Sequence, residues 1–384
     1  MIDAFFSEKF TVTYEHRLYF TRDSFNAKNS LLQDLICEAD QKSKVLIAVD
    51  EKVARASSEL LQSIHSYMES NADLLELRDL ILMPGGELLK NDDKYLKLLY
   101  HKIEDARLCR HSYVIALGGG ALLDLVGYAA ATAHRGVRHL RMPTTSLSQG
   151  DGGVGVKNGI NFNHKKNFIG SFAPPYAIIN DLDFLKTLPQ KDARGGLSEA
   201  IKVALIKDIK FFEWIEDNLH ELKSFEGKAI AYLIQRSAEL HIRHITGNGD
   251  PFETGSARPL DFGHWSAHKL EQMSDFEMSH GDAVAIGIAL DTIYGHLLGN
   301  LNEGKLNRVL SLLSKLGFPL FCEELGQGEL LEGLLEFQEH IGGELTITLL
   351  DDLGKSYETH QMISEKIVSS VEFLKNWTQN TLCK

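Results

Sequence analysis

In the first half of the chain, apolar positions recur alternately with the short period of strands and the longer period of helices. Residues 9–21 alternate, with Thr11, Thr13, Tyr19 and Thr21 among the β-formers, and predict extended chain. Leu31, Leu32, Leu35 and Ile36 mark one face of an amphipathic helix over 30–39. Lys44-Val-Leu-Ile-Ala-Val-Asp reads as a buried strand ending on Asp50, with a helix around residues 53–70 after it. Leu80-Ile-Leu-Met is a second apolar strand running into Pro84-Gly-Gly-Glu-Leu-Leu-Lys-Asn. After a helix over 92–108, Tyr113-Val-Ile-Ala-Leu is a third, entering Gly118-Gly-Gly-Ala-Leu-Leu-Asp. This rhythm predicts a mainly parallel sheet with helices on both faces.

From about residue 183 only the helical period remains, over 205–222, 228–244, 265–273, 281–298, 306–316 and 363–377, with a β-like interruption at 345–350. The expected architecture is a doubly wound, Rossmann-like α/β domain over 1–182 and a mainly α-helical domain over 183–384. The active site is expected in the cleft between them.

Between the two patterns lies a stretch with neither period. Residues 144–170 carry Asp151, Lys157, Lys166 and Asn167 among six glycines, too glycine-rich and polar to predict a regular strand or helix. Such a loop brings backbone close to a ligand. Lys157, Lys166 and Asn167 offer donors to a phosphate, and Asp151 can accept from hydroxyls or anchor a lysine. A phosphorylated polyol is the ligand class this favours; an ordinary surface loop is the alternative.

In parallel sheets, ligands bind beyond the carboxyl ends of the strands. There Asp50 can accept from a ribose hydroxyl, and Gly118, Gly119 and Gly120 open a helix whose N-terminus suits a pyrophosphate. Asp124 sits one turn further on, and the PGGExxK segment adds Glu87 and Lys90. Together they favour a dinucleotide, although a glycine triplet alone also makes a tight turn. In the helical half, Glu199 and Lys202 share a face at i,i+3, His264 and His268 at i,i+4, and His280 starts a helix. One Glu with two His is the ligand set of a catalytic zinc site. Chance pairs at this spacing are common among 16 histidines.

Composition narrows the partners. A net charge of −13 disfavours nucleic acid or an anionic membrane, so an anionic substrate must meet locally clustered cations. Four singly scattered cysteines predict reduced thiols in a cytoplasmic protein. The opening residues show no basic stretch followed by a long apolar one, so no signal peptide is expected, and no apolar run is long enough to span a bilayer.

In combination these segments resemble the sugar phosphate cyclases, the family of 3-dehydroquinate synthase. The resemblance rests on PGGExxKN at 84–91, GGGxxxD at 118–124, His134-Arg-Gly-Val and Pro143-Thr-Thr. It extends through Asp151-x5-Lys157, Lys166-Asn167, Glu199-x2-Lys202, Asp261-Phe-Gly-His-x3-His268 and His280-Gly. The resemblance implies NAD held by Asp50, Glu87, Lys90, Gly119, Gly120, Asp124, Thr144 and Thr145. It implies zinc, or cobalt, on Glu199, His264 and His280. Lys157, Asn167 and His268 would contact phosphate and substrate, with Lys166, Lys202 and Asp151 nearby. Arg135 would reach the neighbouring site of a homodimer. The implied reaction is transient oxidation of an alcohol by NAD, elimination of phosphate, re-reduction and an intramolecular aldol closure to a carbocycle.

Departures from the dehydroquinate synthase pattern bear on the substrate. Ala257 and Asp261 stand where those synthases place an Arg and an Asn, and Arg243 replaces a family lysine. Arg258 lies one residue late, and Glu339 begins a segment where the synthases carry a Lys-Lys pair. An acid at 261 would repel a carboxylate substrate by around 1 kcal/mol or more if partly buried. These changes resemble the sedoheptulose 7-phosphate cyclases and the dehydroquinate-synthase homologues of bacterial ebo-type gene clusters. They imply a neutral seven-carbon sugar phosphate. A 3-dehydroquinate synthase using Arg243 and Arg258, a metal-dependent polyol dehydrogenase and a catalytically idle homologue are the alternatives.

Overall fold

Short, mostly apolar runs such as residues 45–49 and 113–117 form the centre of the main sheet, whose strands are β1 (Leu18–Thr21), β2 (Ser43–Asp50), β3 (Leu75–Met83), β4 (Tyr113–Gly118), β5 (Arg138–Pro143) and β8 (Ala177–Asp181). In the computed structural model, which describes residues 4–37, 41–163, 165–225, 227–247, 259–341 and 343–382, they lie in the order β1-β8-β5-β4-β2-β3. All pairs are parallel. Alternate residues face opposite cores: Val45, Ile47, Val49, Tyr113, Ile115 and Leu117 pack on one side, Leu46, Ala48, Val114 and Ala116 on the other. Burial on both faces explains why β2 and β4 read as continuous apolar runs.

The register sets the site. Val49 pairs with Leu117, Asp50 with Met83 and Gly118 with Pro143, so Asp50, Gly118 and Thr144 emerge level at the carboxyl edge. From Gln190 onward the chain is helical around one core that includes Leu182, Ile201, Trp265, Ile286, Leu310 and Leu374. A two-stranded antiparallel ribbon, β9 (Ile347–Asp352) and β10 (Lys355–Thr359), interrupts it.

Several elements differ from the sequence reading. Only Leu18–Thr21 of the alternating stretch 9–21 forms a strand. The helix expected around 53–70 is two, Glu51–Ala56 and Leu60–Ser70. The one expected over 205–222 is three, because Asp208 ends Gln190–Lys207 and caps Ile209–Asp217 by accepting from Lys210 N and Phe211 N; Leu219–Ser224 follows. The stretch 144–170 is more regular than expected. It contains a π-helical turn, Ser148–Gly152, and an antiparallel hairpin of β6 (Lys157–Phe162) and β7 (Lys165–Phe172). Its glycines serve cross-strand approach: a Cβ on Gly159 would sit 2.9 Å from Ile169 O, and one on Gly170 2.6 Å from Asn158 O.

Candidate active site

At the carboxyl edge of the sheet, the helix Gly120–Thr132 begins on Gly119, which supplies no side-chain cap. A Cβ on Gly120 would meet nothing within 4 Å, and the Thr144 hydroxyl is buried without a hydrogen-bond partner among the described residues. An open helix N-terminus with an orphaned donor beside it fits a pyrophosphate. Next to it, Lys90 is almost fully buried, with Nζ 2.9 Å from Asp124 Oδ2 and 3.5 Å from Glu87 Oε1. Burial works against its charge, but Asp124 and Glu87 hold its pKa above the ordinary lysine value. Nζ also meets Asn167 Oδ1, while Asn161 ties Glu87 to Asn91. Asp50 is buried, accepts from Lys52 N at 2.8 Å, and has its carboxyl pushed up by burial.

The glycine-rich stretch is held from beneath by Arg141, a strand residue with no exposed surface. Its guanidinium donates to the carbonyls of Gly153, Gly155 and Lys157 and to Asn158 Oδ1, at 2.7–3.2 Å. Four donated bonds offset the burial of the cation and fix the path of the loop, while Nε has no partner among the described residues. Gln149 secures the π-helical turn by donating to Pro143 O and Asp181 O. That turn presents Asp151 to the helical half, where Oδ2 lies 3.4 Å from Lys202 Nζ and Oδ1 2.5 Å from His241 Nδ1.

Three helices converge on the same point. Glu199 and Lys202 lie on Gln190–Lys207, His264 and His268 on His264–Met273, and His280 opens His280–Leu297 behind the Ser279 cap. Two glycine contacts set the spacing. A Cβ on Gly281 would lie 2.4 Å from Gly195 Cα, and one on Gly287 2.0 Å from Gly263 O, with Gly263 itself at φ 78°. Helices this close bring Glu199 Oε1 to 3.6 Å from His264 Nε2 and 3.4 Å from His280 Nε2.

The ligand atoms of Glu199, His264 and His280 lie within 4.8 Å of one another, as do those of His268, Glu271 and His280. Glu199 Oε1 is buried and has no hydrogen-bond partner among the described residues. The Nδ1 atoms of both histidines are turned outward, His264 to Phe262 O at 3.2 Å and His280 to Glu271 Oε2 at 3.1 Å. With Nδ1 turned outward, each ring presents Nε2 to Glu199 Oε1, the atom that would meet a metal, while Lys202 pairs with Oε2. That donor set fits a divalent metal.

The electrostatics agree with an alternating network. Burial raises the Glu199 carboxyl, with Lys202 opposing. Burial would discharge Lys202, but Asp151 and Glu199 lift it further above the ordinary lysine value. Burial would likewise raise Asp151, but Lys202 and His241 hold it well below the usual carboxylate range. Burial and Lys166 push His268 down to about 3. Against its own burial, His280 is lifted to about 9 by Glu271 and Glu199.

The residues singled out from sequence fall into several places. Lys166 reaches Glu271, at 3.0 and 3.2 Å, while Asn167 lies on the Lys90 side at φ 55°. Lys157 is exposed at the start of β6, and Arg135 is exposed at φ 62°. Thr145 Oγ1 contacts Ser148 Oγ, 2.8 Å away. Asp261 belongs to the site's field, its charge acting on Lys202, His264 and His268. Arg243 leans along its own helix to Glu239 and is 68 % exposed. Ala257 and Arg258 lie outside the described residues.

Four residues escaped the sequence reading. Glu271 follows His264 and His268 at i+7 and i+3 on one helix face, a pattern open to reading. His241 and His244, i,i+3 on Gly227–Gly247, carry a weaker signal. Arg141 carries none, since its partners are loop carbonyls.

Solved structures share this arrangement of domains. A 2-epi-5-epi-valiolone synthase from Streptomyces hygroscopicus subsp. jinggangensis, with NAD+ and Zn2+ bound, is 25% identical, with 97% of this chain and 99% of that one covered at a TM-score of 0.87. A 2-deoxy-scyllo-inosose synthase complexed with carbaglucose-6-phosphate, NAD+ and Co2+ is 20% identical over 92% of this chain and 95% of that one, at a TM-score of 0.76. A glycerol dehydrogenase from Schizosaccharomyces pombe shares the fold at 17% identity, covering 97% and 92% at a TM-score of 0.61. The family models described as 3-dehydroquinate synthase N-terminal and 3-dehydroquinate synthase C-terminal match residues 80–195 and 196–338 in turn. The chain therefore belongs to the 3-dehydroquinate synthase family of sugar phosphate cyclases.

Proposed function

We propose that this chain is an NAD- and metal-dependent cyclase, a carbon-oxygen lyase that releases phosphate from a neutral seven-carbon sugar phosphate and closes a carbocycle. The observation that carries the reading is the buried, unpartnered Glu199 Oε1 faced by His264 Nε2 and His280 Nε2. Those three residues would hold zinc, or cobalt. Asp50, Glu87, Lys90, Gly119, Gly120, Asp124, Thr144 and Thr145 would hold NAD. When bound, NAD supplies a hydride acceptor that later returns the hydride, and the metal supplies a Lewis acid to a substrate hydroxyl.

The chain's own groups then bind and orient. Asp151, kept ionised by Lys202 and His241, accepts from a substrate hydroxyl, and Lys202 stays charged beside the developing oxyanion. Lys157 and Lys166 on the hairpin, with Asn167 and His268, form the phosphate and substrate side. Arg135 would extend to the site of a second copy in a homodimer. We place the division into domains at 182/183, close to where packing passes from the sheet core at Ile179 to the helical core at Leu182. Among the described residues no helix is long and apolar enough to cross a membrane. The singly scattered cysteines support a cytoplasmic location.

The substrate's neutrality rests on what faces it. Arg243 is turned to Glu239, whereas His244 is pushed down to about 4 by burial, Lys207 and His241, and so is neutral at pH 7. With Asp261 alongside, this end favours hydroxyls over a carboxylate. The test is phosphate release by the NAD- and metal-loaded protein offered sedoheptulose 7-phosphate and the seven-carbon 3-deoxy acid phosphate in parallel. Release from the sugar phosphate without net NADH supports the reading. Release from the acid alone would make the chain a 3-dehydroquinate synthase, which family membership favours as the second reading. Accumulating NADH without phosphate would make it a polyol dehydrogenase.

A further inference from the structure

Glu271 is buried, its side chain 6 % exposed, and it joins two parts of the site that belong to different halves of the chain. One oxygen, Oε2, faces His280 Nδ1 at 3.1 Å, and the carboxylate also takes Lys166 Nζ at 3.0 Å from Oε1 and 3.2 Å from Oε2. His280 begins a helix of the C-terminal half, while Lys166 stands on β7 of the hairpin. The two histidines of the metal set are thus held differently. His264 donates to a neutral peptide carbonyl, that of Phe262, and His280 to a carboxylate. A carboxylate behind an imidazole fixes its tautomer and ring plane and makes Nε2 a stronger donor than a carbonyl does.

We propose that Glu271 is the positioning residue of the metal centre, orienting His280 Nε2 toward Glu199 and coupling metal affinity to the docking of the Lys166 hairpin. The inference rests on the metal reading of Glu199, His264 and His280 and adds how that site is tuned. Lys166 offsets the Glu271 charge and pins its rotamer, so the hairpin and the donor strength of His280 share one carboxylate. Metal and hairpin must then respond to each other, because linkage between two sites is reciprocal.

The experiment is Co2+ binding to the full chain by chelator competition, with the visible absorption of bound Co2+ reporting the ligand set. NAD affinity is measured alongside as a check of folding. Glu271→Ala is expected to weaken Co2+ binding about 10- to 100-fold, and Glu271→Gln, which keeps an acceptor but loses the charge, to recover part of it. Lys166→Met is expected to weaken Co2+ binding by less. The double variant Lys166→Met/Glu271→Ala should bind no more weakly than Glu271→Ala alone.

Unchanged Co2+ affinity in Glu271→Ala overturns the positioning role, and fully additive losses in the double variant overturn the coupling to Lys166. Should Glu271→Ala lose NAD binding, the comparison passes to Glu271→Gln and Lys166→Met, and wild-type Co2+ affinity in both overturns the proposal. A wild-type chain that binds no Co2+ sinks the metal reading itself, an outcome distinct from any pattern among the variants.

Discussion

Two buried charge clusters, one in each half of the chain, differ in how complete they are. Around Lys90 the account closes within the protein: one ammonium is met by Asp124, Glu87 and Asn167. Around Glu199 it does not close: Lys202 meets Oε2, but Oε1 is buried and looks only onto two imidazole nitrogens, at 3.4 and 3.6 Å. A satisfied cluster stiffens a wall beside a ligand; an unsatisfied one waits for the ligand itself. On the proposed function, the nucleotide's own contact surface would then be the open N-terminus at Gly119 and Gly120, next to the Lys90 cluster.

The largest effect should come from breaking the incomplete cluster. His264→Ala removes one of two converging donors, and catalysis and metal binding are expected to vanish while NAD affinity and the fold remain. Equilibrium dialysis of zinc beside NAD titration checks this, and a variant that still binds zinc would remove His264 from the set.

Breaking the satisfied cluster should hurt in a different way. Lys90→Met leaves the Asp124 and Glu87 carboxylates, each about a quarter exposed, without their shared cation. A loss of about 1–3 kcal/mol of stability is expected, with weaker NAD binding and unchanged metal affinity. Urea unfolding and NAD titration separate the two, and equal loss of metal and NAD would mean the clusters are not independent.

A milder change isolates the cradle from the wall. Gly120→Ala places a methyl where nothing stands within 4 Å, at a helix position where Ala is the better residue. Stability should rise by up to about 1 kcal/mol while NAD affinity falls. Unchanged affinity would place the pyrophosphate elsewhere.

The clusters were not equally legible. Asp50 and the glycine triplet stand at the ends of apolar strands, with Asp124 one turn into the helix that follows, so the sheet announces where they meet. The helical set was readable as helix faces, but convergence of Glu199, His264 and His280 depends on the Gly195–Gly281 and Gly263–Gly287 contacts, which no local period records. Strand β5 was hidden because Arg138-His-Leu-Arg-Met-Pro buries Arg141, a charge whose compensation lies in loop carbonyls. The hairpin was hidden by glycines that read as breakers but serve close pairing. His241 went unnoticed because its partner, Asp151, comes from the other half of the chain.

The smallest expected effect concerns how each half fixes the turn that presents its site. Asp50 caps the helix at the nucleotide edge, and Asp291 grips the start of the His264 helix, accepting from Gly263 N at 3.0 Å and Trp265 Nε1 at 2.9 Å. Burial raises both carboxyls, Asp291 to about 7 from 3.8. The folded chain therefore keeps a proton on Asp291 that the unfolded chain releases. The stability this group lends is complete below about pH 4, declines as pH rises and is gone above about pH 7. Asp291→Asn abolishes that titration, so its Tm should fall less between about pH 5 and pH 8 than that of the wild type. Parallel Tm curves would show that the Asp291 carboxyl is already ionised at pH 5, and that the turn before His264 is held by a charge rather than by a neutral acid.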